Sequence, residues 1–400
     1  MIYAPVYIPT LCRFEHFRQC IESLAQCEGA NETEVYVALD YPAKEAHREG
    51  YGKIKAYLEA AGNMTFKRLH VHKRERNYGL GLHGNSATMR KYITERYERF
   101  IISEDDNVFA PNFLAYMNAC FEQYKDDQDV IAVCGYSYPV DWDVSEGATV
   151  FKQQFNVSTW GIGFWTGKYK RLSHDLSEGI LERSFEEVLR NKTYEKMIDA
   201  CKSEYVKNAC SVSFNKNFLW YCVSDIAMRE YLAVTDKYAI TPVISKVRNL
   251  GFDGTGAYCQ KIDSRQNGNT AGTYNYTKQE IDDRHTFTLV ENTKDSTEEN
   301  RRRLNAFDYR SPKEMRMSSL LLWESENIGV WAAKLSLMIK KGIGKLRRRN
   351  YIIIGAMGGI FLELQSTIGT RRFICSHKAG MSMSYPVVQE RYMSMDWNNL

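Results

Sequence analysis

Arg99-Phe100-Ile101-Ile102-Ser103-Glu104-Asp105-Asp106-Asn107-Val108-Phe109-Ala110-Pro111 is the stretch on which the reading of this chain turns. A short strand over 99–103 runs straight into three consecutive acids. Pro111 then stands where the first turn of a helix is expected, with that helix continuing to about Tyr124. Adjacent carboxylates at a strand end raise one another's pKa unless something positive offsets them. A divalent cation would do so. Oxygen ligands suit Mg²⁺ or Mn²⁺, and such ions keep waters and bind partly through substrate phosphates. An acidic turn ahead of a helix is also favourable by itself, because carboxylates complement a helix N-terminus. The triplet alone therefore leaves a solvated turn and a metal site both open.

Working outward, apolar runs alternate with helical patterns. Strands are expected at Ile2–Tyr7, Glu34–Leu39, Phe66–His72 and Val130–Cys134, and helices at Phe14–Gln26, Lys44–Ala61 and 84–97. Strand–helix units of this length predict an α/β fold, a mostly parallel central sheet with helices on both faces. Ligands of such sheets bind outside the carboxyl ends of the strands. Asp40 and the triplet 104–106 both fall at such ends, on different strands, and so share one rim of the sheet.

The remainder is less regular. A Trp/Gly cluster, Ser158-Thr159-Trp160-Gly161-Ile162-Gly163-Phe164-Trp165, precedes a helix-rich stretch to about Lys207. The segment Phe218–Tyr231 and a glycine-rich loop, Asn249-Leu250-Gly251-Phe252-Asp253-Gly254-Thr255-Gly256, follow. Three glycines suit a loop that changes shape over a ligand. Residues 261–317 are polar and read as an extension or linker. In 328–349, Ile328, Trp331, Leu335, Met338, Gly342 and Leu346 recur at spacings of three and four, with Lys334, Lys341, Lys345 and Arg348 on another face. Such a basic amphipathic helix can lie in a membrane interface or dock on its own domain. Tyr351–Leu362 is apolar but falls short of the roughly 20 residues of a spanning helix.

Composition narrows the classes. Of 400 residues, 44% are apolar and 26% charged, which gives enough material for a sizeable core and excludes a wholly disordered chain. A net charge of +4 is too small and too evenly spread to make nucleic acid the partner. Ten cysteines without a CxxC pair point to scattered buried thiols in a reducing compartment rather than a disulfide framework or a zinc site. The opening residues lack a basic-then-apolar leader pattern. A cytoplasmic protein is expected, peripheral on the inner face of the membrane if the 328–349 helix engages lipid.

The run from Phe100 to Phe113 resembles the metal-binding segment of GT-A glycosyltransferases, above all the N-acetylglucosaminyltransferase I-like group. There an acidic triplet follows a strand and precedes an apolar, Ala-Pro helix start. The resemblance covers residues 1–260. It implies a GT-A catalytic domain with a nucleotide-binding half at 1–135 and an acceptor-binding half at 136–260. The polar extension 261–317 and a C-terminal segment 318–400 with its helix would follow. Carried over by position, Asp106 would bind Mn²⁺ or Mg²⁺, and Asp105 would lie beside the donor's ribose and sugar. Arg13, in Pro9-Thr10-Leu11-Cys12-Arg13, would contact the donor. Asp40 would accept from the uracil ring N–H, which a carboxylate can do. Asn77-Tyr78-Gly79-Leu80-Gly81 resembles the loop before the nucleotide-side helix.

On the acceptor side, Trp160 would pack on a sugar face, and core packing is an equally good reading of it. Asp225, in Val223-Ser224-Asp225-Ile226, lies where the family has its catalytic base, although the family often has two adjacent acids there. Asp253 is the second candidate, either as base or as a donor-closing loop residue. The implied reaction is metal-dependent, inverting transfer from a nucleotide-sugar, a UDP-sugar first, to a glycan or lipid-linked saccharide, as in bacterial surface polysaccharide synthesis. Two rival readings are a nucleotidyltransferase acting on sugar phosphates and a non-catalytic carbohydrate-binding or membrane scaffold. The first would favour a Gly-rich basic run after the opening strand, where this chain has only Arg13.

Overall fold

The computed structural model describes residues 2–60, 64–81, 83–154, 157–180, 224–255, 274–308, 350–356, 359–366 and 369–374. Its first half follows the expected alternation: β1 (Val6–Thr10), α1 (Phe14–Ala25), β2 (Glu34–Leu39), α2 (Arg48–Ala60), β3 (Arg68–Lys73), α3 (Asn85–Thr94) and β4 (Arg99–Ile102). Next come β5 (Asn107–Phe109), α4 (Phe113–Gln123), β6 (Val130–Cys134), β7 (Val150–Gln153), β8 (Ile162–Trp165) and α5 (Thr166–Ser177). They are followed by α6 (Asp225–Thr235), β9 (Tyr238–Pro242), β10 (Val247–Asn249) and α7 (Thr297–Asp308). Pro111 lies just outside α4, which starts after Asn112.

Eight strands form one sheet in the order β3-β2-β1-β4-β8-β6-β9-β7. The β3-β2-β1-β4 half is parallel throughout, as is the β6–β9 pair; β8 and β7 run against their neighbours. The α/β architecture with a mostly parallel central sheet is thus the observed one. Strands buried on both faces read as unbroken apolar runs, as in β2, whose Val35 to Leu39 are all buried. Alternate residues of β1 feed two cores. Val6 and Ile8 pack with Phe17, Ile21 and Leu24 of α1 and with α4 on one face. Tyr7 packs with Met89 and Ile93 of α3 and with α5 and α6 on the other.

The polar stretch read as a linker behaves differently where it is described. Residues 274–308 lie on the domain. Tyr276 joins the main core and Leu304 packs with Trp142 and Phe151. The Thr149 amide donates to the Val290 carbonyl and the Asn292 amide to the Val150 carbonyl, at 2.8 and 2.9 Å. These contacts run to residues more than 140 positions away, which local polarity cannot announce. The helix expected over 328–349 and the stretch to Lys207 beyond residue 180 lie outside the described residues. Further on, β11 (Asn350–Ala356), β12 (Gly359–Ser366) and β13 (Gly369–Ile374) form a three-stranded antiparallel sheet. No helix among the described residues is long and apolar enough to cross a membrane.

Candidate active site

From β1 the chain builds outward to β2 and β3, then returns to place β4 on the other side of β1. The carboxyl ends of β1 and β4 therefore flank the point where strand order reverses, where open α/β sheets keep their ligands. Thr10 closes β1, Arg13 stands just before α1, and Glu104-Asp105-Asp106 follow β4. Asp105 receives Arg13 Nη2 on one oxygen and the Thr10 hydroxyl on the other, the latter at 2.8 Å. The same Arg13 nitrogen lies 2.8 Å from Oδ2 of Asp106. Both acids are buried, and Nη1 of Arg13 is buried without a partner among the described residues.

The electrostatics follow from that packing. Burial opposes the charge of Arg13, but Asp105 and Asp106 outweigh it and hold the guanidinium protonated well above its ordinary value. Burial and the neighbouring Asp106 push Asp105 up, against the pull of Arg13 and Thr10. Glu104 is driven well above the carboxylate range by burial and by Asp106, Asp225 and Asp105 in turn. Its carboxylate makes no hydrogen bond to the described residues, so no donor there offsets the like charges around it.

A second arm reaches the acidic turn through a short ribbon. β5 and β10 pair antiparallel with Asn107 opposite Asn249. The Asn249 amide donates to Oδ1 of Asp106 at 2.8 Å, and the Leu250 N–H donates to the Asp106 carbonyl at 2.8 Å. Gly251 follows so closely that a Cβ there would overlap Oδ2 of Asp106. Only a residue without a side chain leaves that oxygen uncovered. Phe252 then stacks on Tyr276 at 4.5 Å and meets Trp160 edge-on at 5.5 Å. Asp253 pairs with His16 at 3.2 Å and binds Thr255. Those bonds and the charges of His16 and Arg13 overcome its burial and lower its pKa.

Asp225 opens α6. Ser224 caps that helix by accepting from the Ala227 N–H, as N-cap serines do. One Asp225 oxygen accepts from the Thr159 N–H at 2.9 Å, which ties the carboxylate to the Trp160 loop. Burial raises its pKa despite the Thr159 bonds and the charge of Arg229. Glu104 links it electrostatically to the acidic turn. Trp160 is half-buried, edge-on to Tyr136 at 4.6 Å. Its ring packs among Tyr136, Phe252 and Tyr276, next in sequence to the Thr159 that holds Asp225.

Asp40 stands apart. It is buried at the end of β2, and its carboxylate accepts from the N–H groups of Tyr41, Tyr78 and Gly79 at 2.8–2.9 Å and from the Asn77 amide at 3.3 Å. A carboxylate has about four lone-pair sites, so Asp40 is filled by the loop expected beside the nucleotide. The geometry thus brings Arg13, Asp105 and Asp106 into contact, and couples Asp253 to Arg13 and Asp225 to Glu104 electrostatically. Sequence reasoning left Thr10, Glu104, Asn249, Gly251 and Thr159 without roles. Each lies in a stretch the sequence singled out, the first-strand exit, the acidic triplet, the glycine-rich loop or the Trp/Gly cluster, but its contact partner is set by the fold.

Among the described residues no group of three or more His, Cys, Asp or Glu could hold a metal ion. Asp106 nevertheless fits half of a shared site. Each of its oxygens accepts one hydrogen bond and keeps a lone pair, and Gly251 leaves Oδ2 uncovered. Mg²⁺-type ions are commonly held by one or two carboxylates plus substrate phosphates. Its residues suit an ion that arrives with a diphosphate.

No family model matches the chain, and no curated protein matches it. Among solved structures it is similar to S. aureus TarS at 16% identity, covering 42% of this chain and 29% of that one, with a TM-score of 0.29. A mannosyltransferase from Pyrobaculum calidifontis, in complex with GDP-Man and Mn²⁺, is 13% identical over 42% and 46% of the two chains, with a TM-score of 0.29. Mouse xyloside xylosyltransferase 1 is 11% identical over 42% and 69%, with a TM-score of 0.23. The chain spans less than half the length of the first two. Likeness at these scores carries no weight, and the fold and site rest on this chain's own geometry.

Proposed function

We propose that this chain is a glycosyltransferase that moves a sugar from a nucleotide-sugar donor to a hydroxyl of a glycan or lipid-linked acceptor. The observation that carries the reading is the convergence at the β1/β4 switch point. A firmly protonated Arg13 and two buried carboxylates meet there, and a separately anchored carboxylate of raised pKa, Asp225, stands across Glu104. The residue resemblance over 100–113 favours a UDP-sugar and inversion.

Asp106 would hold a divalent ion completed by donor phosphates, and that ion would supply positive charge against the departing diphosphate. Arg13 binds and orients the phosphates, since a guanidinium offers a planar fork of donors. Asp225 accepts the proton of the acceptor hydroxyl. The hydroxyl oxygen bonds to the anomeric carbon as the bond from that carbon to the diphosphate oxygen breaks. Anchorage by the Thr159 N–H keeps Asp225 oriented, and its raised pKa makes it a stronger base than an exposed aspartate. Trp160 offers an aromatic wall beside that base.

Turnover of a panel of nucleotide-sugars, with and without Mn²⁺, tests the reading. Metal-stimulated release of UDP that disappears in Asp106→Ala is the expected outcome. Release of pyrophosphate would indicate a nucleotidyltransferase instead. Glycan binding that ignores both metal and Asp106 would leave only a scaffold.

A further inference from the structure

We propose that Arg13 is the resident counter-cation of the acidic turn, keeping a divalent ion off Asp106 until a diphosphate draws the guanidinium away. This inference rests on the donor-site reading above. One guanidinium nitrogen serves both carboxylates, so Arg13 shares its single positive charge between Asp105 and Asp106. It occupies Oδ2 of Asp106, the oxygen that Gly251 leaves otherwise uncovered, while Asn249 fills the other. A metal ion at Oδ2 would stand against a fixed positive charge, and a guanidinium cannot shed its proton to relieve the repulsion. A diphosphate can relieve it, because its oxygens attract both cations.

Arg13 is prepared for that exchange. Its Nη1 is buried and has no partner among the described residues, and such a donor gains most from an incoming phosphate oxygen. A move from Asp105 and Asp106 to the diphosphate would satisfy Nη1 and uncover Oδ2 in one displacement. Ion and nucleotide would then bind with positive coupling, which must be reciprocal: each raises affinity for the other by the same factor.

Mn²⁺ uptake by the full chain decides the matter, read from the electron paramagnetic resonance signal of free Mn²⁺ with and without UDP. The wild type should take up Mn²⁺ about tenfold or more tightly when UDP is present, a coupling within the usual range. Arg13→Gln should bind Mn²⁺ without UDP about tenfold more tightly than the wild type, by the same measure of coupling. Asp106→Asn in that background should abolish the gain. Arg13→Lys, which retains a cation, should stay near the wild type.

Equal affinities of the wild type and Arg13→Gln without UDP, alongside normal uptake with it, overturn the proposal alone. A gain of equal size in Arg13→Lys overturns it too. No uptake by the wild type even with UDP overturns the donor-site reading and takes the proposal with it. Should Arg13→Gln fail to fold, the wild type decides: uptake equally tight with and without UDP refutes the exclusion.

Discussion

Asp225 and Asp105 are both carboxylates raised by burial, yet their neighbours assign them different work. Asp105 is spent on Arg13 and Thr10. Asp225 has one oxygen on the Thr159 N–H and is coupled electrostatically to Glu104. A base acts when deprotonated, so rate falls as pH drops through its pKa. Because burial raises that pKa, the acid limb of kcat/KM should lie clearly above the ordinary aspartate value of about 3.9. Asp225→Asn should remove the limb and lower kcat by roughly 10²- to 10⁴-fold, with the thermal melt retained. A limb that persists in the variant would assign the base elsewhere, with Glu104 first in line. At this scale the family resemblance singled out Arg13, Asp105, Asp106 and Asp225 by position, and the fold brings the first three into contact. The filling of Asp40 was not legible, because three of its four donors come from a loop 37 to 39 residues on. Hydrogen-bond saturation is a property of the folded loop.

The elements that complete the site are the shortest ones. β5 and β10 span three residues each, too few for an alternation to register against the surrounding sequence. The expected helix start at Pro111 obscured β5 further. Longer strands such as β2 and β6 were readable because burial on both faces leaves unbroken apolar runs. What the β5–β10 ribbon does is bring Gly251 against Asp106. In Gly251→Ala the new Cβ would overlap an oxygen that Arg13 and Asn249 already hold, so either the loop lifts or the carboxylate turns. Displacement of a reacting group by about 1 Å can cost about 100-fold, and a loss of that order in kcat/KM is expected with little change in melting temperature. Gly52→Ala is the matched control. A Cβ there meets nothing, and alanine is the better helix former in α2, so activity should be unchanged. Equal activity in the two variants would remove Gly251 from the site.

At the scale of the molecule, the segment that looked like a linker is joined to the domain by a buried ion pair. Lys246 and Asp282 are 1% and 2% exposed at their side chains. Lys246 Nζ also lies 5.0 Å from the Phe287 ring centre and 5.7 Å from that of Tyr116. Asn112, immediately before α4, donates to the same Asp282 carboxylate at 3.1 Å. Burial opposes the charge of Asp282, but bonds from Arg284, Lys246 and Asn112 outweigh it and hold its pKa far below the usual range. A carboxylate depressed in the folded state contributes stability above its unfolded pKa and loses it as pH falls through the folded one. The wild type should therefore lose stability on acidification below about pH 4, where unfolded aspartates titrate. Lys246→Met keeps the volume but strands the carboxylate. Arg284 cannot replace the lysine, because it is 53% exposed and its pairing is screened by water. Removing one member of a buried pair costs about 3–5 kcal/mol, and Asn112 and Arg284 place the expected loss near the lower end. Urea melts at pH 7 and pH 3 check both parts: the variant should be destabilised most at pH 7, with the gap narrowing at pH 3 as Asp282 moves toward protonation. A variant as stable as the wild type at pH 7 would mean that 274–308 rests on the domain without helping to hold it together.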